Sequence, residues 1–308
     1  MPKRRIPLLA AAVGVLALGG LAACGDNDAS AGSDKVSVVA AFYPLQFIAE
    51  RVGADAVTVT NLAKPGAEPH DLELNPQQVR EVADADLVVY LKGFQPAVDE
   101  TVAQQAAHRS FDVATVQPLL NASAADEEEG GQDHLGGKDP HVWLDPTRLA
   151  AIADQLAGRL GAVDKAHAAD YTARATGLRT DLTALDAEYA SGLRTCQRHE
   201  IVTSHSAFGY LAARYHLRQI GITGLSPEDE PTPQHLAAVA AQARQLGATT
   251  IFFETLVSPK VAEAVANEVH ATTAVLDPIE GLQPGSSDDY FSVMRRNLTT
   301  LRTALGCQ

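Results

Sequence analysis

Three histidines share one kind of position in a chain where the other histidines are scattered. His70 sits in Lys64-Pro65-Gly66-Ala67-Glu68-Pro69-His70-Asp71. His141 sits in Asp139-Pro140-His141-Val142-Trp143-Leu144-Asp145-Pro146, and His205 in Thr203-Ser204-His205-Ser206-Ala207-Phe208. Each occupies a loop that leaves a sheet and precedes a helix. A fourth loop of this kind, Val275-Leu276-Asp277-Pro278-Ile279-Glu280, offers two carboxylates, Asp277 and Glu280. Imidazole nitrogens suit zinc at about 2.0–2.1 Å, and one carboxylate completes a tetrahedron. Prolines beside His70 and His141 limit backbone freedom and help hold ligands that are far apart in sequence. His108, His167, His199, His216, His235 and His270 fall within helices, beside them or at element ends, and read as surface or packing residues. A zinc hydrolase would need an open coordination position and a base such as Glu68 or Asp71, but no His-Glu-x-x-His helix or Ser or Cys nucleophile motif is present.

The elements that must position these loops read as α/β. Runs rich in Val and Leu at 36–40, 57–62 and 87–91 have the character of buried parallel strands, and 200–203, 249–253 and 273–276 repeat it. Asn75-Pro76, Asp145-Pro146 and Ser258-Pro259 pair a capping residue with proline at a first helical position. The pattern predicts two α/β lobes, parallel sheets flanked by helices, at 36–160 and 194–308. Ligands bind outside the carboxyl ends of such strands, so the three imidazoles are expected to meet in the interlobe cleft.

Between the lobes, 161–193 is expected to be one long rigid helix. Tyr171, Leu178, Leu182, Leu185, Tyr189 and Leu193 recur at helical steps, and 164–193 lacks proline. Thirty residues make a spine about 45 Å long, with Gly177 the place to look for a kink. The segment 121–138 is different: Asp126-Glu127-Glu128-Glu129-Gly130-Gly131, then His134, reads as a solvated acidic loop. It is either a surface insertion or a weak cation-gathering flap with His134 as an auxiliary ligand.

The first residues set the expected compartment. Lys3, Arg4 and Arg5 precede an apolar stretch that fits the core of a signal peptide, 1–23, and Leu21-Ala22-Ala23-Cys24 reads as a lipobox with Cys24 lipidated. Residues 24–35 then form a polar tether, and the protein is extracytoplasmic, held to the outer face of the cell membrane by lipid. Residues 1–23 carry three positive charges and no negative one, so their loss takes the net charge from −14 to −17. A chain this acidic is a poor ligand for nucleic acid. With Cys24 lipidated, Cys196 and Cys307 remain as a pair in an oxidising compartment, where a disulfide is the default.

Together, Phe42-Tyr43-Pro44-Leu45, Glu68-Pro69-His70-Asp71, the Asp139–Pro146 segment, Thr203-Ser204-His205-Ser206-Ala207-Phe208 and Asp277-Pro278-Ile279-Glu280 resemble the zinc- and manganese-binding receptors of ABC importers, the ZnuA-like group. The likeness runs from about Val36 to Leu305. It implies two lobes on a rigid connecting helix, with His70, His141 and His205 as metal ligands. It also implies a monomeric receptor that delivers metal to the membrane subunit of an ABC permease. Manganese receptors of this group place a carboxylate where this chain has His205, and three imidazoles favour Zn2+ over Mn2+. Relatives fill the fourth place with a carboxylate or with water; Glu280 is expected here, with Asp277 capping the turn or serving as an auxiliary ligand. Zinc receptors of the group commonly carry a histidine-rich loop between the first two metal histidines, whereas this loop holds only His134. The remaining alternatives are a manganese or iron receptor and a metal-stabilised adhesin lipoprotein.

Overall fold

A computed structural model describes residues 35–122 and 136–308. The expected signal segment 1–23, the lipidation position Cys24 and the auxiliary candidate His134 lie outside the described residues. Among those described, no helix is long and apolar enough to cross a membrane.

The first lobe runs β1 (Val36–Ala40), α1 (Tyr43–Gly53), β2 (Val57–Asn61), α2 (Pro76–Asp84), β3 (Leu87–Tyr90), α3 (Pro96–Gln105) and β4 (Ser110–Asp112). Its strands are all parallel, in the order β2-β1-β3-β4. Asn75 begins α2 with a full capping box: its side chain accepts from Gln77 N and Gln78 N, and Gln78 returns a carboxamide oxygen to Asn75 N. The ends of the acidic loop close as an antiparallel bridge between Asn121 and Lys138.

Two helices follow, α4 (Pro146–Val163) and α5 (Ala168–Gly192). The expected single helix over 161–193 is therefore corrected: residues 161–163 end α4, and α5 starts at Ala168. Asp164 makes the break. Its carboxylate accepts from Ala166 N, from the His167 ring at 2.5 Å and from the Tyr171 hydroxyl at 2.8 Å, a local network that competes with helix continuation. The 25 residues of α5 make a rod of about 37 Å, unbroken at Gly177. Its apolar face, Tyr171, Leu178, Leu182, Leu185 and Tyr189, is wholly buried.

The second lobe runs β5 (Glu200–Thr203), α6 (Gly209–Tyr215), β6 (Arg218–Gly221), α7 (Pro233–Gln245), β7 (Thr250–Phe253), α8 (Lys260–Val269), β8 (Thr272–Val275) and α9 (Tyr290–Leu305). The order β6-β5-β7-β8, again all parallel, repeats that of the first sheet. The helix after Ser258-Pro259 starts one residue later than expected, with Pro259 at the N-cap of α8, and the Ser258 hydroxyl accepts from Lys260 N at 3.5 Å. Cys196, ahead of β5, is disulfide-bonded to Cys307, just past α9.

The lobes are held by shared packing as well as by α5. One apolar core takes in the first sheet, α4, α5, α6 and α9; a smaller one lies beneath α7 and α8. Arg174 on α5 donates to the carbonyls of Val52 and Gly53 at the end of α1, while the Tyr189 hydroxyl donates to Met294 O on α9 at 2.6 Å. One rigid rod thus grips both lobes.

Candidate metal centre

Both sheets reverse their winding beside their first strand, and loops from the two strand ends flanking such a reversal open a crevice. In the second sheet these strands are β5 and β7. His205 lies two residues past β5, and Glu254 is the first residue past β7. His70 follows β2, His141 precedes α4, and Glu280 follows β8. Gln95 ties the first lobe's loops together, its carboxamide donating to Pro69 O at 3.0 Å.

The structure brings His70, His141, His205 and Glu280 together, with one potential ligand atom of each within 4.8 Å of all the others. The Nε2 atoms of His70, His141 and His205 lie 3.3, 3.1 and 3.2 Å from a single oxygen, Glu280 Oε1. His141, His205 and Glu280 are buried, and His70 keeps 8% of its surface exposed. Asp277 stays outside this group. Its carboxylate accepts from Ile279 N at 2.8 Å and from the Thr255 hydroxyl at 2.8 Å, so it shapes the turn.

That turn carries strain. Ile279 adopts φ 60°, a left-handed conformation unusual for a β-branched residue and costing about 1–3 kcal/mol. Asp277, the paired bonds of Asn297 to the Asp277 backbone, and the Trp143 indole on Pro278 O over-determine it. The strained residue stands directly before Glu280.

Two carboxylates fix the far sides of the imidazoles. Asp139 Oδ1 accepts from His141 Nδ1 at 2.8 Å and from His141 N at 2.9 Å, and Glu254 Oε1 accepts from His205 Nδ1 at 2.7 Å. With Nδ1 protonated in this way, Nε2 carries a lone pair. Those lone pairs face a carboxylate oxygen, so acceptors converge on acceptors. His141 Nε2 and Glu280 Oε2 are buried without any hydrogen-bond partner. Such an array is stable only around positive charge, supplied by a cation or by protons. Bonds of about 2.0–2.1 Å at tetrahedral angles put neighbouring ligand atoms roughly 3.3 Å apart, close to the spacings found about Glu280 Oε1.

The protonation of the metal-free site follows the same logic. Burial would push the Glu280 carboxyl up, but the imidazoles around it outweigh burial and hold it well below the usual carboxylate range. Burial opposes charge on His205, yet Glu254 and Glu280 raise it well above an ordinary histidine; Asp139 and Glu280 raise His141 against the same opposition. Burial pulls His70 down in spite of Glu280. Glu68, whose carboxylate accepts from His70 N, is pushed up to about 8 by burial and by the nearby charge of Glu280.

Asp139 and Glu254 went unnoticed as supporting residues in the sequence. A signal existed for each: Asp139 stands two residues before a candidate ligand, and Glu254 directly follows an apolar strand at the edge of the crevice.

The chain matches the model of the family described as zinc-uptake complex component A, periplasmic, over residues 38–304. It is 32% identical over 300 residues to the high-affinity zinc uptake system protein ZnuA of Bacillus subtilis, covering 92% of this chain and 93% of that protein. It is 33% identical over 286 residues to the zinc-binding protein AdcA of Streptococcus pyogenes serotype M6, covering 87% of this chain; it spans only 56% of that relative's length. Among solved structures, the laminin-binding protein Lmb of Streptococcus agalactiae, described as bifunctional with adhesin and metal-transporting activity, superposes with a TM-score of 0.79 at 29% identity, over 88% of this chain and 100% of that one. With its paired parallel-sheet lobes and its buried cluster of three histidines and a glutamate, the chain belongs to the ZnuA family.

Proposed function

We propose that this protein is an extracytoplasmic receptor that binds one zinc ion through His70, His141, His205 and Glu280 and delivers it to an ABC-type permease. One observation carries the reading: three imidazole Nε2 atoms converge on one buried carboxylate oxygen at 3.1–3.3 Å. Three nitrogens and one oxygen form a borderline-soft set that favours zinc over oxygen-preferring manganese. Four protein ligands also fill a tetrahedron and leave no position for an activated water, which supports a carrier over a hydrolase.

The division into signal segment 1–23, tether 24–35, lobe 36–160, connector 161–193 and lobe 194–308 belongs to this reading, with the connector now starting at α5. So do the lipid on Cys24 and the monomeric state. Zinc enters the cleft on the side of His70, the most exposed of the four ligands. Because α5 grips both lobes, loading proceeds by small loop movements, and the ordered loops present the docking face to the permease.

The test is a competition titration of metal-stripped protein with zinc and manganese, repeated on His205→Ala. One tight zinc per chain, much weakened by the substitution and far tighter than manganese, is expected. Weak or multiple binding indifferent to His205 would overturn the assignment, and the adhesin activity named for the Lmb neighbour would become the stronger reading.

A further inference from the structure

We infer that Glu254 makes position 205 a nitrogen site and thereby sets the preference of this centre for zinc over manganese. The inference rests on the zinc-receptor reading above and adds to it a specificity-determining residue that touches no metal.

The strands β5 and β7 are hydrogen-bonded neighbours, with Thr203 opposite Phe252. Just beyond them Ser204 N donates to Phe252 O at 2.9 Å, so the two strand ends leave the sheet in fixed register. Glu254 is 2% exposed. One of its oxygens, Oε1, accepts from the Ser204 hydroxyl at 2.7 Å and from His205 Nδ1 at 2.7 Å. Two donors on consecutive residues therefore fix a single acceptor. The backbone of His205 is held as well, its carbonyl accepting from the Thr203 hydroxyl at 2.7 Å and from the Gln219 carboxamide at 3.0 Å. The ring cannot swing away from Glu254 without leaving that carboxylate buried and unpaired, which is costly.

Two consequences follow for metal choice. A carboxylate on the Nδ1 proton orients the ring and makes Nε2 a more basic donor. Zinc gains more from a strong nitrogen donor than manganese, which prefers oxygen. The second effect is exclusion. A carboxylate at position 205, the oxygen ligand a manganese site would use, would stand beside Glu254 in a buried pocket. It would bring no N–H to replace the one that His205 Nδ1 gives Glu254 Oε1, leaving acceptor against acceptor. Glu254 thus favours imidazole and penalises its replacement, so attraction and repulsion act together. Asp139 serves His141 differently, because it is two residues away in the same loop and also accepts the His141 backbone N–H. Glu254 acts from a neighbouring strand, through the side chains of Ser204 and His205.

The test measures zinc and manganese affinity by competition on purified wild-type protein, Glu254→Gln, Glu254→Ala, His205→Glu and the double variant His205→Glu/Glu254→Gln. Glu254→Gln keeps volume and an acceptor while removing charge, and about a tenfold loss of zinc affinity is expected; Glu254→Ala should lose about 10–100-fold. Manganese affinity should change far less, so the zinc-to-manganese ratio falls. His205→Glu should bind manganese poorly, and adding Glu254→Gln should restore it, a non-additive pair. In 15N-labelled zinc-bound protein, the Nδ1–H correlation of His205 should be present in the wild type; this readout stands even where a position-205 variant does not fold. Wild type that binds zinc tightly, with Glu254 variants that keep the metal ratio or lose both metals equally, overturns this inference alone. A wild type without zinc affinity removes the receptor reading and this inference with it.

Discussion

Trp143 donates its indole N–H to the carbonyl of Pro278 at 2.7 Å, which ties the His141 loop directly to the turn bearing Glu280. The Tyr290 hydroxyl in turn donates to Trp143 O at 2.6 Å. Trp143 is the only tryptophan in the chain, is 1% exposed, and its ring lies 5.3 Å from that of His141. Trp143→Phe keeps much of the packing but leaves Pro278 O without its donor, a loss of about 1–3 kcal/mol of stability. Ile279 then loses one of the bonds that hold its left-handed backbone, so zinc affinity should fall as well. Thermal melting and zinc competition check this together; a variant with lowered stability and wild-type affinity would mean that the indole supports the fold without aiming Glu280.

The same centre fixes how zinc capture depends on pH. An ordinary imidazole titrates near about 6.5. His205 and His141 are raised above that by their carboxylate partners, so without metal they hold protons at pH values where free histidine has lost them. His70 is lowered by burial and Glu280 is depressed by its imidazole neighbours, so neither supplies a proton near neutrality. Zinc must displace the protons on His205 and His141, and its affinity rises with pH until their raised values are passed. The decline on acidification therefore begins above pH 6.5, earlier than three unperturbed histidines would give. Zinc titrations in buffers of different ionisation enthalpy should show net proton release at pH 7. No release, or an affinity flat from pH 8 to pH 5, would contradict the arrangement.

The candidate ligands were legible because each lies in a loop between a strand and a helix, bounded by proline or a capping residue. Asn75 and Asp145 announced their helices, and the steps from Tyr171 to Tyr189 marked the buried face of α5. The edge strands β4 and β6 were not legible. Ser110–Asp112 is too short for a period to emerge, and Arg218–Gly221 carries polar residues because an edge is half solvated. Where α5 begins was hidden for another reason. Asp164 stops the preceding helix by hydrogen bonds to Ala166, His167 and Tyr171, with no glycine or proline to mark the break. Asp139 and Glu254 illustrate a general limit. A carboxylate that holds a ligand is defined by where its partner lies, and for Glu254 that partner is 49 residues away, across two strands.

Gly209 offers a way to disturb the centre without changing a ligand or its carboxylate. A Cβ built there would lie 2.3 Å from Asp139 Oδ2, so Gly209→Ala must rotate that carboxylate. Rotation breaks the two bonds that Asp139 Oδ1 accepts from His141. Loss of such a supporting partner typically costs 10–100-fold in metal affinity, and about tenfold is expected for this indirect displacement. Zinc competition on Gly209→Ala checks it, and unchanged affinity would show that α6 shifts to make room while Asp139 stays.

The disulfide should act on stability and leave the metal centre alone. It closes a separation of 111 residues, and cross-links over loops of that length contribute about 2–5 kcal/mol, chiefly by restricting the unfolded chain. Cys196 lies before β5, at the end of that strand away from His205, so the bond and the centre occupy opposite ends of the second sheet. Other bonds also anchor the chain's last residues: Gln197 N and Arg198 N donate to Leu305 O, and Gln308 N donates to Thr195 O. Reducing the bond therefore should not release α9. A Cys196→Ser/Cys307→Ser variant is expected to melt at lower temperature while still binding one zinc per chain with affinity within about threefold of wild type. Loss of zinc binding in that variant at temperatures where it remains folded would instead reveal coupling along β5 from the staple to His205, and the centre would depend on an oxidising environment.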